Sequence, residues 1–518
     1  MLENKLSDLK SRKLNGNMSN NQILKKTTIQ KFYTGQSIFI TGGTGFLGKV
    51  LVEKLLRSCD VSKIYLLIRS KKGIDINDRL DNLFNNPLFE SLKKNSPEFR
   101  NKIVPVAGDV REIDLGLSHE DRELLIQEVS IVFHSAATLR FNEKLKIAML
   151  INTSGALEVL KLVNEMKKLK VMVHVSTAYS NCHEDIIEEK IYPHPIEYEN
   201  FKIVAETLSD EAIVDALPRI LKNWPNTYTF TKALTEKCIK QMSCNKPVGI
   251  FRPGIIISVA EEPLPGWVGN YYGPTGVLTA SSLGILKTAL ADPNGKANLV
   301  PVDYTVNALI ACAWDIATQT TRRNDDMLIY NYVSTNDAPV TWNEFCVDYC
   351  LKYGHEYPIL QSKWYMTFSI TKSRLAYNLS MIFLHLLPAL LVDSISLCTG
   401  QKPKLYKMLS KTFKSFEALI PFSMKDWIWK ANNVPLMWKR LDQEDQKIFK
   451  FSLTGFNWKE YSRNYMMGVK IYLFKEGLNT LDASKKRQTR LRIVHEGLQI
   501  IFGLFLLFLF WKIIYLFI

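Results

Sequence analysis

Cysteine is scarce and unpatterned in this chain. The eight thiols, at 59, 182, 238, 244, 312, 346, 350 and 398, form no C-x-x-C pair and no disulfide-framework spacing. That argues against a structural zinc site or any other metal and fits a reducing compartment. An apolar signal-peptide core is also missing at the start. Seven Lys or Arg stand against Glu3 and Asp8 before Phe32, so residues 1–34 read as a flexible basic arm. A P-loop lacks its last element: Gly43-Thr-Gly-Phe-Leu-Gly48-Lys49 is followed by Val50, which has no hydroxyl for magnesium. Phosphoryl transfer is thereby disfavoured. Finally, the net charge of +15 is not gathered into one patch, and part of it lies in the terminal segments. No nucleic-acid partner is expected.

What is present is a chain of 518 residues, 47% hydrophobic, long enough for two or three domains with large cores. It is organised around Ser37-Ile-Phe-Ile-Thr-Gly-Gly-Thr-Gly-Phe-Leu-Gly48, where a short apolar run ends in glycines and a helical pattern starts at once. Gly42 permits the tight turn, Gly45 lets backbone approach a pyrophosphate, and Gly48 lets helix and strand pack closely. The helix starting near Gly45 offers free N–H groups and a positive dipole end to phosphate. Thr41, Gly42, Gly43, Thr44, Gly45, Phe46, Leu47 and Gly48 are therefore read as a dinucleotide-binding turn.

Beyond it, apolar strands alternate with amphipathic helices, which predicts a doubly wound parallel α/β sheet of Rossmann type. Strands are expected at 63–68, 102–107, 130–134, 171–175 and 247–251. Ligands bind such sheets outside the carboxyl ends of the strands. After the second strand stands Arg69-Ser70-Lys71-Lys72 rather than an acid. Arg69 and Lys71 invert the preference that a carboxylate would set for NAD, so the expected cofactor is NADPH. Asp109 and Val110 follow the third strand, placed for the adenine. Ala136 and Ala137 follow the fourth and leave room for the cofactor. Pro253, Gly254 and Ile255 close the sixth.

The candidate chemistry lies in Tyr228-Thr-Phe-Thr-Lys232, read as a helix with Tyr228 and Lys232 on one face. A phenol with a pKa near 10 is a poor acid–base at neutral pH, and a neighbouring ammonium stabilises its anion. A hydroxyl from Thr177 or Ser176, after the fifth strand, would bond a substrate carbonyl oxygen as charge develops; Thr177 is preferred. Asn152 either holds a relay water or caps a helix.

Together these residues resemble an extended short-chain dehydrogenase/reductase. More closely, they are similar to the eukaryotic fatty acyl-CoA reductases. The likeness rests on Thr41-Gly-Gly-Thr-Gly-Phe-Leu-Gly48, Val175-Ser-Thr-Ala-Tyr179, Tyr228-x-x-x-Lys232 and Arg252-Pro253-Gly254. It extends to Pro263-Leu-Pro-Gly-Trp267, Tyr271-Tyr-Gly-Pro274 and Val300-Pro-Val-Asp303, to a helical C-terminal part and to a hydrophobic tail. The resemblance implies reduction of a long-chain acyl-CoA to a primary alcohol, with two NADPH consumed and CoA released. Under it, 35–340 form the NADPH-binding domain, 341–480 a helical domain, and 181–222 part of the acyl entrance. An acyl-enzyme on Cys182, the nearest cysteine, is not expected.

Leu498 to Ile518 is a 21-residue run broken by Gln499 and Lys512, enough for a transmembrane tail anchor. Lys485-Lys-Arg487, Arg490 and Arg492 precede it and would keep the main domain cytosolic. Peroxisome and endoplasmic reticulum are equally compatible membranes, and a homodimer is left open. Met381–Val392, apolar for 12 residues, is expected as a buried helix or a re-entrant segment. Lys404, Lys407, Lys411 and Lys414 share one helical face, suited to anionic lipid, CoA phosphates or plain solvent. His385 and Asp393 read as structural. Competing functions are a sterol or nucleotide-sugar reductase, a reductase that stops at aldehyde, and a membrane-tethered NADPH-binding scaffold without turnover.

Overall fold

The computed structural model describes residues 26–70, 75–319 and 326–517, so Lys71 and most of the basic arm lie outside the described residues. The strands are β1 (Ser37–Thr41), β2 (Lys63–Ile68), β3 (Ile103–Ala107), β4 (Ile131–His134), β5 (Val171–Val175), β6 (Ile186–Ile187) and β7 (Val248–Pro253). They continue with β8 (Ile255–Ile257), β9 (Thr288–Leu290), β10 (Leu299–Pro301), β11 (Ile329–Tyr332), β12 (Ser369–Thr371) and β13 (Ile428–Trp429). Seven build one parallel sheet in the order β11-β7-β5-β4-β1-β2-β3. After β3 at one edge the chain returns to place β4 beside β1, and that reversal opens a crevice at the strand ends.

Helices α1 (Thr28–Tyr33), α2 (Phe46–Ser58), α3 (Leu145–Glu165), α4 (Thr227–Met242) and α5 (Val302–Thr318) surround the sheet. Helices α6 (Arg374–Cys398), α7 (Leu405–Glu417) and α8 (Leu481–Phe517) belong to the C-terminal part. Alternate side chains of β1 face opposite layers: Ile38 and Ile40 pack with α2 and α5, whereas Phe39 packs with α3 and α4. Every residue of α5 from Val302 to Ile316 is buried, its polar stripe satisfied internally: Asp303 accepts from Ala260, Glu261 and Glu262 N, Asn307 donates to Lys450 O, and Asp315 accepts from the Tyr330 hydroxyl.

Two expectations are corrected. The arm reading fails for residues 28–33, which form α1. Thr27 and Gln30 make a reciprocal capping box, Ile29 and Tyr33 are buried, and Asp445 accepts from the Thr27 hydroxyl and from Ile29 N. The buried-helix reading of 381–392 also fails: Phe383, Leu387, Leu391 and Val392 are exposed on α6. His385 and Asp393 are structural as expected. His385 Nε2 accepts from Lys287 N at 3.0 Å, and Asp393 caps α7.

Candidate functional site

The glycine turn between β1 and α2 is a cradle without room for side chains. Gly42 has φ +75°, and a Cβ on it would lie 2.8 Å from Ala136 N. A Cβ on Gly48 would lie 2.2 Å from Gly42 O, so only glycine lets α2 close on the turn. Gly43 packs on Leu66, and Gly45 is the N-cap of α2 with no side-chain cap bond. The Gly45 N–H is spent on Gly42 O at 2.9 Å, so the N–H groups left to a phosphate are the first of α2, at the half-buried Phe46 and Leu47. Phe46 stacks on Trp267 at 5.4 Å, and Ala136 and Ala137 are half-buried beside the turn. This geometry fits a dinucleotide pyrophosphate. Thr41 does not reach toward it: its Oγ1 bonds His134 Nδ1 at 2.7 Å in the core.

At the neighbouring strand ends Arg69 is 53% exposed, with its Nε 3.8 Å from the Asp109 carboxylate. Asp109 is held mainly by Arg111, through Nη2 at 2.7 Å and Nε at 3.0 Å. Burial raises its carboxyl, but the Arg111 bonds outweigh this and leave it below its ordinary value. Val110 O is backed by Gly155, where a Cβ would come within 2.5 Å. Asn152 is not a helix cap. It lies in a π-turn (Leu150–Ser154) inside α3, accepting from Thr138 N at 2.9 Å and donating to Thr231 Oγ1 at 3.0 Å. It therefore ties the β4 end to α4.

Helix α4 starts at Asn226, whose side chain accepts from Thr229 N. Tyr228 follows at once, half-buried, with its phenol beside Thr177, whose Oγ1 accepts from Tyr179 N at 3.2 Å. Burial raises the phenol above its ordinary value; Thr177 lowers it in part, and Glu236 adds to the rise. Lys232 is buried and donates from Nζ to Val175 O at 2.8 Å. The structure therefore gives Lys232 to the β5 backbone and places Thr177 beside the phenol, rather than pairing ammonium with phenol. Ser176 is turned away, its Oγ donating to Glu236. Pro253 O accepts from Ala178 N at 2.9 Å, Gly254 abuts Asn298, and the half-buried Ile255 begins β8.

Two parts of this site were not anticipated. Glu236, one turn beyond Lys232, meets Arg252 through paired bonds of 2.6 and 2.9 Å, with both side chains at 2% exposure or less. Arg252 also donates to Glu188 O and Lys190 O, so a single buried ion pair joins β5, β7, α4 and the insertion after Tyr179. The second part is an aromatic wall beside the phenol. Phe141 lies 5.8 Å from Tyr228 and 5.1 Å from Phe422, and Tyr179, Trp427 and Trp429 complete it. The indole N–H groups are satisfied by Cys182 O and Ala178 O, which leaves the buried rings free to pack as one apolar cluster. Burial pushes the Cys182 thiol up to about 11, so it is no nucleophile at neutral pH.

A family model described as Male sterility protein, of NAD-binding type, matches residues 40–309, and a second of the same description matches 384–476. Fatty acyl-CoA reductase wat of Drosophila melanogaster is 40% identical over 470 residues, spanning 91% of this chain and 90% of that protein. Fatty acyl-CoA reductase 1 of Homo sapiens is 35% identical over 488 residues, spanning 94% and 93%. The chain belongs to the fatty acyl-CoA reductase family. Among solved structures, this reductase resembles the terminal reductase domain of the myxalamid pathway, with TM-score 0.55 and 18% identity over 86% of this chain and 92% of that one. It also resembles the reductase domain of a Mycobacterium tuberculosis non-ribosomal peptide synthetase, with TM-score 0.54 and 16% identity over 84% and 91%. Both likenesses concern the fold. They match the α/β sheet and helical C-terminal part of the acyl-CoA reductase described above.

Proposed function

We propose that this chain reduces long-chain acyl-CoA to a primary alcohol with NADPH, releasing CoA, at the single site formed by Thr177, Tyr228 and Lys232. The observation that carries the proposal is that the Tyr228 phenol and Thr177 come together at the strand ends of the sheet that also carries the glycine turn. The substrate class is supported by the relatives named as fatty acyl-CoA reductases. The nicotinamide, when bound, supplies hydride. Thr177 and Tyr228 hold the thioester oxygen and donate to it as it gains charge. A phenol whose proton affinity is raised by burial starts protonated, which suits a reduction that consumes protons. Collapse of the hemithioacetal anion breaks the C–S bond, re-forms the carbonyl and releases CoA, whose thiolate takes a proton from solvent; the aldehyde accepts a second hydride from fresh NADPH, and Tyr228 protonates the resulting alkoxide. The aromatic wall excludes water and receives apolar acyl carbons. Incubating the detergent-solubilised protein with palmitoyl-CoA and NADPH, then measuring hexadecanol and hexadecanal, tests this. Hexadecanol supports the reading, while hexadecanal alone favours a reductase that stops halfway.

Three outcomes are expected of this site. Thr177→Val should lower kcat by about 10²-fold, the loss of one oxyanion donor, whereas Ser176→Ala should act on stability through Glu236. Arg69→Ala should raise the KM for NADPH and leave that for NADH unchanged, since only the former carries a 2′-phosphate. The pH profile follows Lys232. Burial pushes its ammonium down from the ordinary range to about 8, Glu236 acting the other way, so it is charged below that pH and neutral above. Its neighbours His134 and His174 are kept neutral by burial. Turnover should therefore fall as pH rises through about 8, and Lys232→Arg should move that limb upward.

The apolar run of α8 after Leu498 is exposed along its length and long enough to cross a bilayer. We read it as a C-terminal anchor with the domain on the cytosolic side, in peroxisome or endoplasmic reticulum.

A further inference from the structure

Helices α6 and α7 form a hairpin that is largely uncovered. Its turn is closed by Asp393 of α6, whose carboxylate accepts from Lys404, Leu405 and Tyr406 N–H groups at 3.1, 3.0 and 2.9 Å. Leu409 and Phe413 of α7 pack inward, and Phe413 meets the His385 ring at 5.0 Å. The outer face is apolar: Leu391 and Ile395 are 59% and 64% exposed, and only 22% of the apolar window of α6 is buried. On α7, Lys404, Lys407, Lys411 and Lys414 are all exposed beside it.

Three contacts in series link this hairpin to the start of the tail. His385 accepts from Lys287 N, the Lys287 ammonium lies 5.7 Å over the Trp364 ring, and Trp364 Nε1 is 3.2 Å from His495 Nδ1. His495 stands three residues before the apolar run of α8. On its other side the hairpin leads to the candidate site. Five residues after α7, Phe422 packs on Phe141, which packs on Tyr228.

We infer that the α6–α7 hairpin is a second membrane element, which lies in one leaflet of an anionic bilayer beside α8 and feeds acyl chains along α7 to the aromatic wall. It does not cross. The 13 residues of α7 span roughly 20 Å, short of the ~30 Å hydrocarbon core, and both ends of the hairpin return to the same domain. A bilayer suits the face better than a second copy does, because a two-fold contact would oppose like charge to like across the lysine row. Exposed lysines flanking apolar surface match anionic headgroups above acyl chains. The inference rests on the membrane reading of α8.

The test uses the full chain in vesicles of phosphatidylcholine and phosphatidylserine, with exposed Cys244 and Cys398 changed to Ser. An environment-sensitive fluorophore is placed at L391C, at I113C in the sheet domain, or at I514C in the tail, and nitroxide-labelled lipid is added. Quenching at 391 several-fold above that at 113, diminished by K404E/K407E/K411E/K414E, is the expected result. Quenching at 514 but not at 391 overturns the hairpin while sparing the anchor, and quenching at neither overturns both. Blue-shifted but unquenched emission at 391 means that a second copy covers the face, and also overturns it. None of these readouts depends on turnover, so failure of the acyl-CoA activity is seen separately.

Discussion

Tyr228→Phe is expected to lower turnover by about 10²–10⁴-fold while the affinity for NADPH stays unchanged. The change removes one oxygen and leaves the ring, so the 5.8 Å packing on Phe141 and the start of α4 persist. What disappears is the hydroxyl beside Thr177, placed at the strand ends both to donate to the substrate oxygen and to yield a proton. The cofactor cradle at Gly42–Gly48 lies on a different strand end and is not touched. Titrating NADPH fluorescence alongside steady-state turnover separates the two effects. Retained turnover would assign the proton to another group, and lost binding would mean that the phenol holds the cofactor instead. A scaffold that binds NADPH without chemistry would show no change in either.

The second large effect is structural. Arg252→Met is expected to destabilise the protein by about 3–5 kcal/mol, because Glu236 is left as an uncompensated buried charge. Glu188 O and Lys190 O lose their donor as well, which loosens the insertion that follows Tyr179. Neutralising both partners, as Glu236→Gln with Arg252→Met, should recover part of the loss, since the desolvation cost of the pair goes with it. Thermal unfolding of the single and double variants checks this. Equal losses in both would show that packing of the Arg252 stem, rather than charge, is what the site needs. Because Ser176 donates to Glu236, the single variant should also disturb the strand end that carries Thr177.

Which parts of this molecule could be read from the chain follows from distance in sequence. The glycine turn and the Tyr228–Lys232 spacing are local, so strand, turn and helix periodicities suffice to place them. Strands β1 to β5 and β7 sit within two residues of their expected bounds for the same reason. Glu236 escaped notice because a carboxylate on a helix normally faces solvent, and only the fold brings Arg252 and Ser176 to it. The aromatic wall joins Phe141, Tyr179 and Phe422 across nearly three hundred residues, and no local pattern carries that. β11 is recognisable as a sheet strand only by its pairing with β7. For α6 the inference from apolarity to burial failed, since an apolar face can be covered by lipid as well as by protein. The π-turn at Asn152 is likewise a product of packing between α3 and α4, not of composition.

The central claim is that one site delivers two hydrides to the same carbon. Mass spectrometry of the product made from an acyl-CoA and NADPH deuterated at the transferred position tests it most directly. The account predicts a primary alcohol carrying two deuterium atoms on C1, with one CoA released per alcohol. An aldehyde with a single deuterium as the end product, or an alcohol carrying only one, would contradict it.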